Sequence, residues 1–373
     1  MKKITILAMH LNYGGIEKYI SYLCKMFEND YDLEVISTYK YSSQPAFEFS
    51  PKIKITYLLN DYPDRVSIKE LLNNQHYIKV ISEIYRRIRL RYMSYYYNKK
   101  VVKNLKSDYL ITTRIYHNRL VNKYLKKSRI IKIATEHNYH NNNQKYINEL
   151  VRSTTNFNYF IHCTDELYKF YRKLITGPKN KKIYNPVFID NKLKSKLNNL
   201  NIISVGRFSE EKGFLDLIEV MKEVCNINPK VSLKICGDGY LREKIKIKIN
   251  EYGLNDNVQL TGFVRGKDLE RAYMDSSLYV MTSKSESFGL VLLEAMHYGI
   301  PCIAFDSASG ARNLLKNKVG ILIKDRDIKK MARGIVKLLE DRKKLMEYSD
   351  KSISYVTNYS LEKTYSSWQK ILN

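Results

Sequence analysis

Short apolar runs closed by glycine or polar turns recur along this chain, and segments with helical spacing separate most of them. In the first half the runs Ile4–Met9, Leu33–Ser37, Ile53–Leu58, Tyr109–Thr112, Ile130–Thr135 and Tyr159–Cys163 read as strands. Segments such as Ile16–Phe27 and Glu166–Leu174 place apolar residues three and four apart and read as helices. Strands that alternate with helices predict βαβ units, hence a parallel sheet covered on both faces.

After Tyr184-Asn185-Pro186 comes a polar stretch, Asn191 to Asn199, with little periodicity, the best linker in the chain. The alternation then restarts. Strands are expected at Ile202–Val205, Ser232–Cys236, Val258–Leu260, Leu278–Met281, Cys302–Ala304 and Gly320–Ile323. Helices are expected near Leu215–Cys225, Leu241–Tyr252, Lys267–Met274, Leu290–His297 and Ile328–Leu339. The pattern predicts two consecutive doubly wound α/β domains, 1–190 and 191–357, followed by a helical segment 358–373 that packs back on the body. That last segment carries the only tryptophan, Trp368, for which a packing role is expected. Ligands of such sheets bind beyond the carboxyl ends of the strands, so two facing domains would enclose a cleft.

A length of 373 residues fits two domains of ordinary size, and 44% hydrophobic with 27% charged residues is a globular composition. No run of about 18 apolar residues occurs, which excludes a membrane-spanning helix of the usual kind. The five cysteines, Cys24, Cys163, Cys225, Cys236 and Cys302, are odd in number and never form CxxC. They fit neither a disulfide framework nor a zinc site and suit a reducing cytoplasm.

The charge changes this picture. The chain carries a formal +26, and residues 1–190 hold 33 Lys and Arg against 16 Asp and Glu. The densest stretch, Lys79 to Lys106, has one acid, Glu83, and nine basic residues, among them Arg86, Arg87, Arg89, Arg91, Lys99 and Lys100. Ile81, Ile84, Ile88 and Tyr92 fall at helical spacing within it. The expectation is an amphipathic helix that lays Lys and Arg on lipid phosphates and Tyr at headgroup depth. A long solvated surface helix is the plainer alternative. Nucleic acid is not expected as a partner, because no recognition helix, zinc finger or aromatic RNA platform accompanies the charge.

Three motifs carry chemistry. Asn12-Tyr13-Gly14-Gly15-Ile16-Glu17 follows the opening strand, where two glycines let backbone N–H groups approach a phosphate at a helix start. Gly206-Arg207-Phe208-Ser209-Glu210-Glu211-Lys212-Gly213 also follows a strand. There Arg207 supplies a planar fork and Lys212 a mobile point charge, a pairing suited to a diphosphate without a metal. The third runs from Ser283 to Ala295. Glu286 and Glu294 flank Phe288-Gly289-Leu290, where a helix start would offer free N–H groups to an anion and the carboxylates could hold hydroxyls.

These residues resemble the family 4 glycosyltransferases, retaining nucleotide-sugar enzymes of GT-B fold, in which two Rossmann-like domains face each other across a cleft. The family signature of a Glu, a Phe-Gly and a second Glu eight residues after the first is matched by Glu286, Phe288-Gly289 and Glu294, continued by Ala295, Gly299 and Pro301. Gly237-Asp238-Gly239 and Thr261-Gly262-Phe263 are similar in kind and order. The resemblance spans the chain and is strongest from residue 202 to 304.

It implies that Arg207 and Lys212 bind the donor diphosphate, that Glu294 holds the ribose, and that backbone N–H groups of Phe288, Gly289 and Leu290 contact phosphate. Glu286 would contact the hydroxyls of the transferred sugar. The Gly14-Gly15 loop would approach the phosphates and acceptor, and the base would lie near Gly237 and Gly262. The family commonly places a His at the strand end Ala134-Thr135-Glu136-His137-Asn138, which makes His137 a catalytic candidate, with His140 as competitor. The pair is not read as metal ligands, since no third His or Cys lies at helpful spacing. Ala311 stands where many relatives carry Pro, so the part of Phe305–Ala311 in shaping the donor-sugar pocket is open.

The implied function is a metal-independent, cofactor-free transfer of a hexosyl unit, with retention, from a nucleotide sugar, UDP by family habit. The donor phosphate would take the acceptor proton. The basic first half favours a lipid-diphosphate-linked oligosaccharide acceptor in surface-glycan assembly, such as capsule or exopolysaccharide. The enzyme would be cytoplasmic and peripheral on the inner face of the plasma membrane. A non-catalytic GT-B subunit that scaffolds a partner or binds its acceptor is the rival, and a nucleotide-sugar epimerase or a basic nucleic-acid binder are more distant readings.

Overall fold

A computed structural model describes residues 1–63, 68–187, 193–316 and 318–372. The chain divides into two compact units. The first comprises Met1–Cys163, Leu167–Ile183 and the C-terminal residues from Tyr365; the second comprises Thr164–Glu166 and Tyr184–Thr364. The domain boundary expected at 190/191 lies outside the described residues.

The first unit runs β1 (Lys3–Ala8), α1 (Gly15–Phe27), β2 (Asp32–Tyr39), β3 (Lys54–Leu59), α2 (Ile68–Asn73), α3 (Tyr77–Lys103) and β4 (Tyr109–Thr112). It continues with α4 (Ile115–Tyr124), β5 (Ile131–Glu136), α5 (Gln144–Ser153), β6 (Tyr159–His162), α6 (Asp165–Tyr171, whose first two residues count with the second unit) and β7 (Lys179–Lys182). All its ladders are parallel, in the order β3-β2-β1-β4-β5-β6-β7. The central strands are buried on both faces, which explains their near-continuous apolar runs: five of the six residues of β1 are buried. The edge strand β7, Lys-Asn-Lys-Lys, has no apolar residue, and composition gave no hint of it.

The second unit runs β8 (Asn201–Val205), α7 (Phe214–Ile227), β9 (Ser232–Cys236), α8 (Arg242–Glu251), β10 (Val258–Gly262), α9 (Gly266–Met274) and β11 (Leu278–Met281). Then come α10 (Leu290–His297), β12 (Cys302–Phe305), α11 (Ser309–Leu315), β13 (Ile321–Ile323), α12 (Ile328–Glu340) and α13 (Arg342–Val356). Its parallel sheet has the order β10-β9-β8-β11-β12-β13. Its core joins α7 and α12 to the sheet through Leu217, Met221, Met331 and Ile335, all fully buried.

The chain ends in α14 (Leu361–Leu372). Trp368 is fully buried in the first unit's core, edge-on to Phe27 with ring centroids 5.7 Å apart. The packing follows from an amphipathic sequence that lays Trp368, Ile371 and Leu372 on one side.

In each unit the strand order reverses direction once, between β1 and β4 and between β8 and β11. At such a switch point the connections leave in opposite directions and open a crevice at the carboxyl ends. The Gly14-Gly15 loop leaves β1, the Gly206–Gly213 loop leaves β8, and the Glu286 segment leaves β11.

Candidate active site

In the second unit the loop after β8 is held by its own hydrophobic peg. Phe208 is fully buried and meets Phe214 edge-on at 5.1 Å. Its N–H donates to the Asp238 carbonyl at 2.9 Å and its carbonyl accepts from Leu241 at 3.2 Å. These bonds lay the Gly206 loop against Gly237-Asp238-Gly239, which leaves β9. The approach requires glycine: a Cβ on Gly237 would sit 1.8 Å from the Gly206 carbonyl oxygen. Gly213 ends the loop at φ 66°, and a Cβ there would lie 2.2 Å from the Thr282 carbonyl oxygen.

The two cations of the loop are held differently. Lys212 pairs with the Glu286 carboxylate, both largely buried. Arg207 reaches into solvent and pairs with Glu211, four residues on, at 3.2 Å. Lys212, Thr282, Ser283 and Glu286 line one recess with Ser204 and Val205.

The segment after β11 turns into α10 through Gly289, at φ 87° and ψ 50°. The helix therefore begins at Leu290, and the Leu292 N–H in its first turn donates to the Gly289 carbonyl at 3.0 Å. Phe288 is buried, and Gly310 packs on its backbone, where a Cβ would approach the Phe288 carbonyl carbon to 2.6 Å. The Gly310 N–H donates to the Glu286 carbonyl at 2.7 Å. Ala311 is buried in the first turn of α11, beside this contact. Glu294 lies inside α10 and is buried, its carboxylate accepting from the Tyr273 hydroxyl at 3.2 Å. Sequence reading did not single out Tyr273 or Arg326. Arg326 pairs with Asp216 at 3.2 Å and donates to the Thr282 carbonyl at 2.9 Å, so it braces the wall behind Lys212.

In the first unit Gly14 caps α1 with extended backbone, and a Cβ on Gly15 would meet nothing within 4 Å. Neither residue is there to relieve backbone strain, and the space over Gly15 is open. Glu17, in the first turn of α1, is buried, with Arg114 at 3.3 Å and His10 at 3.5 Å.

His137 follows β5. Its Nε2 lies 2.9 Å from the Thr135 hydroxyl and its ring packs on Tyr19 at 4.2 Å. Burial, reinforced by the positive charge of Arg114, pushes its pKa down to about 3, so the imidazole is neutral at physiological pH. His140 is buried and stacked on Phe170 at 4.2 Å, and its Nδ1 accepts from the Asn142 N–H at 3.0 Å. Glu136, which the motif reading passed over, ends β5 just before His137 and is buried. Its carboxylate accepts from the N–H groups of His137 (2.8 Å) and Asn138 (2.6 Å) and from the Tyr146 hydroxyl (2.9 Å). Burial raises its pKa to about 7 despite those three donors. A cavity of about 470 Å³ at this end of the sheet is lined by His10, Tyr41, Arg114, Glu136, Asn138 and Tyr146. Arg114 and Glu136 could have been suspected from position alone, since each stands at or just past the end of a central strand.

The basic residues expected on a helix do lie on α3, but in two classes. Arg86 is clamped by Glu83 and Asp61, each at 2.7 Å, and by the carbonyls of Tyr62 and Pro63. Arg87 pairs with Glu83 at 2.9 Å. Glu83 is buried, and its bonds to Arg86 hold its carboxyl down at about 2. Arg89, Arg91 and Lys100 are exposed, and Lys99 lies over the rings of Tyr95 and Tyr124. Among the described residues no three of His, Cys, Asp and Glu are grouped as metal ligands, and no helix is long and apolar enough to cross a membrane.

Residues 188–354 match the family model of the glycosyl transferases, group 1, and that segment contains the whole second-unit site. An uncharacterized glycosyltransferase of Haemophilus influenzae is 33% identical over 189 residues, 50% of this chain and 53% of the relative. A poly(glycerol-phosphate) alpha-glucosyltransferase of Bacillus subtilis is 28% identical over 207 residues, 54% of this chain and 30% of the relative. The chain thus matches about half or less of the length of these curated relatives. A variant of S. aureus TarM, solved with fondaparinux, alpha-GlcNAc-glycerol and UDP, superposes with a TM-score of 0.81 at 18% identity over 100% of both chains. The α/β fold of two Rossmann-like units is therefore the GT-B fold.

Proposed function

We propose that this chain is a retaining, metal-independent glycosyltransferase. It moves a hexosyl unit from a UDP-sugar to a lipid-diphosphate-linked or growing surface-glycan acceptor. The observation that carries this reading is the convergence at the β8/β11 switch point of Arg207, the Lys212–Glu286 pair and the Gly289-capped start of α10. The match of residues 188–354 and the UDP of the TarM structure support it.

In this reading Lys212 exchanges Glu286 for the donor diphosphate, and Arg207 swings from Glu211 to the same group. The charge that develops on the leaving diphosphate is stabilised by these two cations and by the N–H groups of Phe288, Gly289 and Leu290. Glu286, released from Lys212, accepts from hydroxyls of the sugar, and Glu294 accepts from the ribose. His137, neutral, hydrogen-bonds a hydroxyl through the nitrogen not turned to Thr135, and the Gly14-Gly15 loop leaves room for phosphate or acceptor. The donor phosphate takes the acceptor proton, so no strong base is needed. Retention and the donor-side roles follow from the resemblance of the Glu286–Glu294 motif. The protein works in the cytoplasm, peripheral on the inner face of the plasma membrane, where such an acceptor resides.

Incubation of the purified chain with a panel of nucleotide sugars tests this. Release of UDP from one UDP-sugar, lost in Glu286→Ala and Arg207→Ala, is the expected result. Silence towards the whole panel counts against the reading.

A further inference from the structure

Helix α3 turns its apolar periodicity outward. It spans 27 residues, a rod of about 40 Å. The side chains it buries are Val80, Glu83, Leu90, Ser94, Asn98 and Val102, a mixed and partly polar face. That polarity is satisfied locally: Asn98 donates to Thr38 at 3.2 Å and to the Ser94 carbonyl at 2.9 Å, and the Ser94 hydroxyl meets that of Tyr116 at 2.9 Å. The opposite face carries Ile78, Ile81, Tyr85, Ile88 and Tyr92, exposed to 85%, 69%, 68%, 63% and 70%. Nine of the seventeen exposed large apolar side chains among the described residues lie on this one helix. An isolated exposed Ile needs no explanation; a stripe of them in steps of three and four residues does.

The stripe has the spacing of a coiled-coil seam, so a second copy of the chain is one conceivable cover. Charge rules against it. Arg89 and Lys100 lie along one side of the stripe and Arg91 along the other, with Lys99 and Lys103 at its end. The helix has a single acid, Glu83, which is buried and committed to Arg86 and Arg87. A symmetric pairing would set cations against cations with no acid to answer them. An anionic lipid surface supplies both missing complements, acyl chains for the isoleucines and phosphates for the flanking cations.

We infer that α3 is a membrane-docking element that inserts its Ile78–Tyr92 stripe into the headgroup region of an anionic leaflet, with Arg89, Arg91 and Lys100 on lipid phosphates. Arg86 and Arg87 do not take part; they fasten the helix to Glu83 and Asp61. This rests on the reading of a lipid-borne acceptor for its purpose, while the contact itself rests on α3 alone. Docking then combines an apolar term, insensitive to salt, with an electrostatic term that salt screens.

Flotation of the full chain with phosphatidylcholine vesicles, and with vesicles in which part of that lipid is replaced by phosphatidylglycerol, tests the inference. The wild type is expected to bind the second kind. The double variant Ile81→Ser/Ile88→Ser, both sites solvent-exposed, should lose about tenfold or more in partition. It should release UDP from a UDP-sugar at the wild-type rate. Tyr92→Trp should be quenched by brominated lipid, against a background set by the buried Trp368. Wild-type partition in the isoleucine variant would leave charge alone in control and overturn the inference. So would absence of binding to either vesicle, or a wild-type dimer in sedimentation velocity that the same substitutions dissolve. Failure of donor turnover with vesicle binding intact would strike the proposed activity and leave the docking element standing.

Discussion

The Lys212 ammonium and the Glu286 carboxylate form an ion pair between two loops that leave neighbouring strands of one sheet, β8 and β11. Seventy-four residues separate them in sequence. The pair keeps both charges compensated in a largely buried recess. In the proposed reaction a diphosphate would bind where Lys212 already points, and its arrival would free Glu286 for a sugar hydroxyl.

Glu286→Ala and Arg207→Ala should each cost about 100- to 1000-fold in turnover, the scale of removing one preorganised charge-stabilising group. Arg207 is exposed and its partner Glu211 is too, so Arg207→Ala should leave the thermal midpoint near wild type. Steady-state UDP release with parallel calorimetry separates the two effects. Near-normal turnover by both variants would remove these assignments.

The glycines divide into two kinds. Gly213→Ala puts a Cβ against the Thr282 carbonyl at a positive φ, so a destabilisation of about 1–3 kcal/mol is expected, read as a lowered Tm. Gly15→Ala meets open space, so Tm should hold while transfer falls as the methyl intrudes on the ligand's approach. Unchanged transfer in Gly15→Ala would place that loop outside the site.

Stability should depend on pH in two opposed ways. His137 is held near 3, below its unfolded value, so the unfolded chain binds its proton more readily and stability falls as pH drops from about 6.5 towards 3. Glu136 is held near 7, above its unfolded value, so the folded chain binds that proton more readily and stability falls as pH rises from about 4.5 to 7. His137→Gln should soften the acid-side loss and Glu136→Gln the loss on the neutral side. Denaturant melts across that range, with each variant beside wild type, read the sign directly.

Trp368→Ala removes the largest fully buried side chain, and a cost of about 3–5 kcal/mol is expected from the cavity beside Phe27. Tm and denaturant midpoint should fall together. A loss of UDP release at temperatures where the variant is folded would mean that Trp368 does more than pack.

Much of this architecture was legible because its strands are central and apolar. Tyr109–Thr112, Ser232–Cys236, Leu278–Met281 and Leu290–His297 fall where periodicity placed them. The edge strand β7 was invisible, since Lys-Asn-Lys-Lys draws its structure from pairing with β6 and not from its own side chains. The second-unit site could be read because its residues lie in two continuous motifs. Arg114 belongs to no motif and Glu136 is overshadowed in its segment by His137. Arg114 meets Glu17, and Arg114 and Glu136 line one cavity with His10, only once β1, β4 and β5 lie side by side. On α3 the apolar period is visible in the spacing of Ile81, Ile84, Ile88 and Tyr92, but which way it faces depends on Asn98, Ser94 and Glu83 finding buried partners, which spacing does not encode.

UDP release from a panel of UDP-sugars, run for wild type, Arg207→Ala and Glu286→Ala in parallel, tests the donor site at its two charged groups. The donor-site assignment predicts turnover of one donor by the wild type and its near-complete loss in both folded variants. Release by the variants at the wild-type rate, or no release and no thermal stabilisation with any nucleotide sugar, would contradict it.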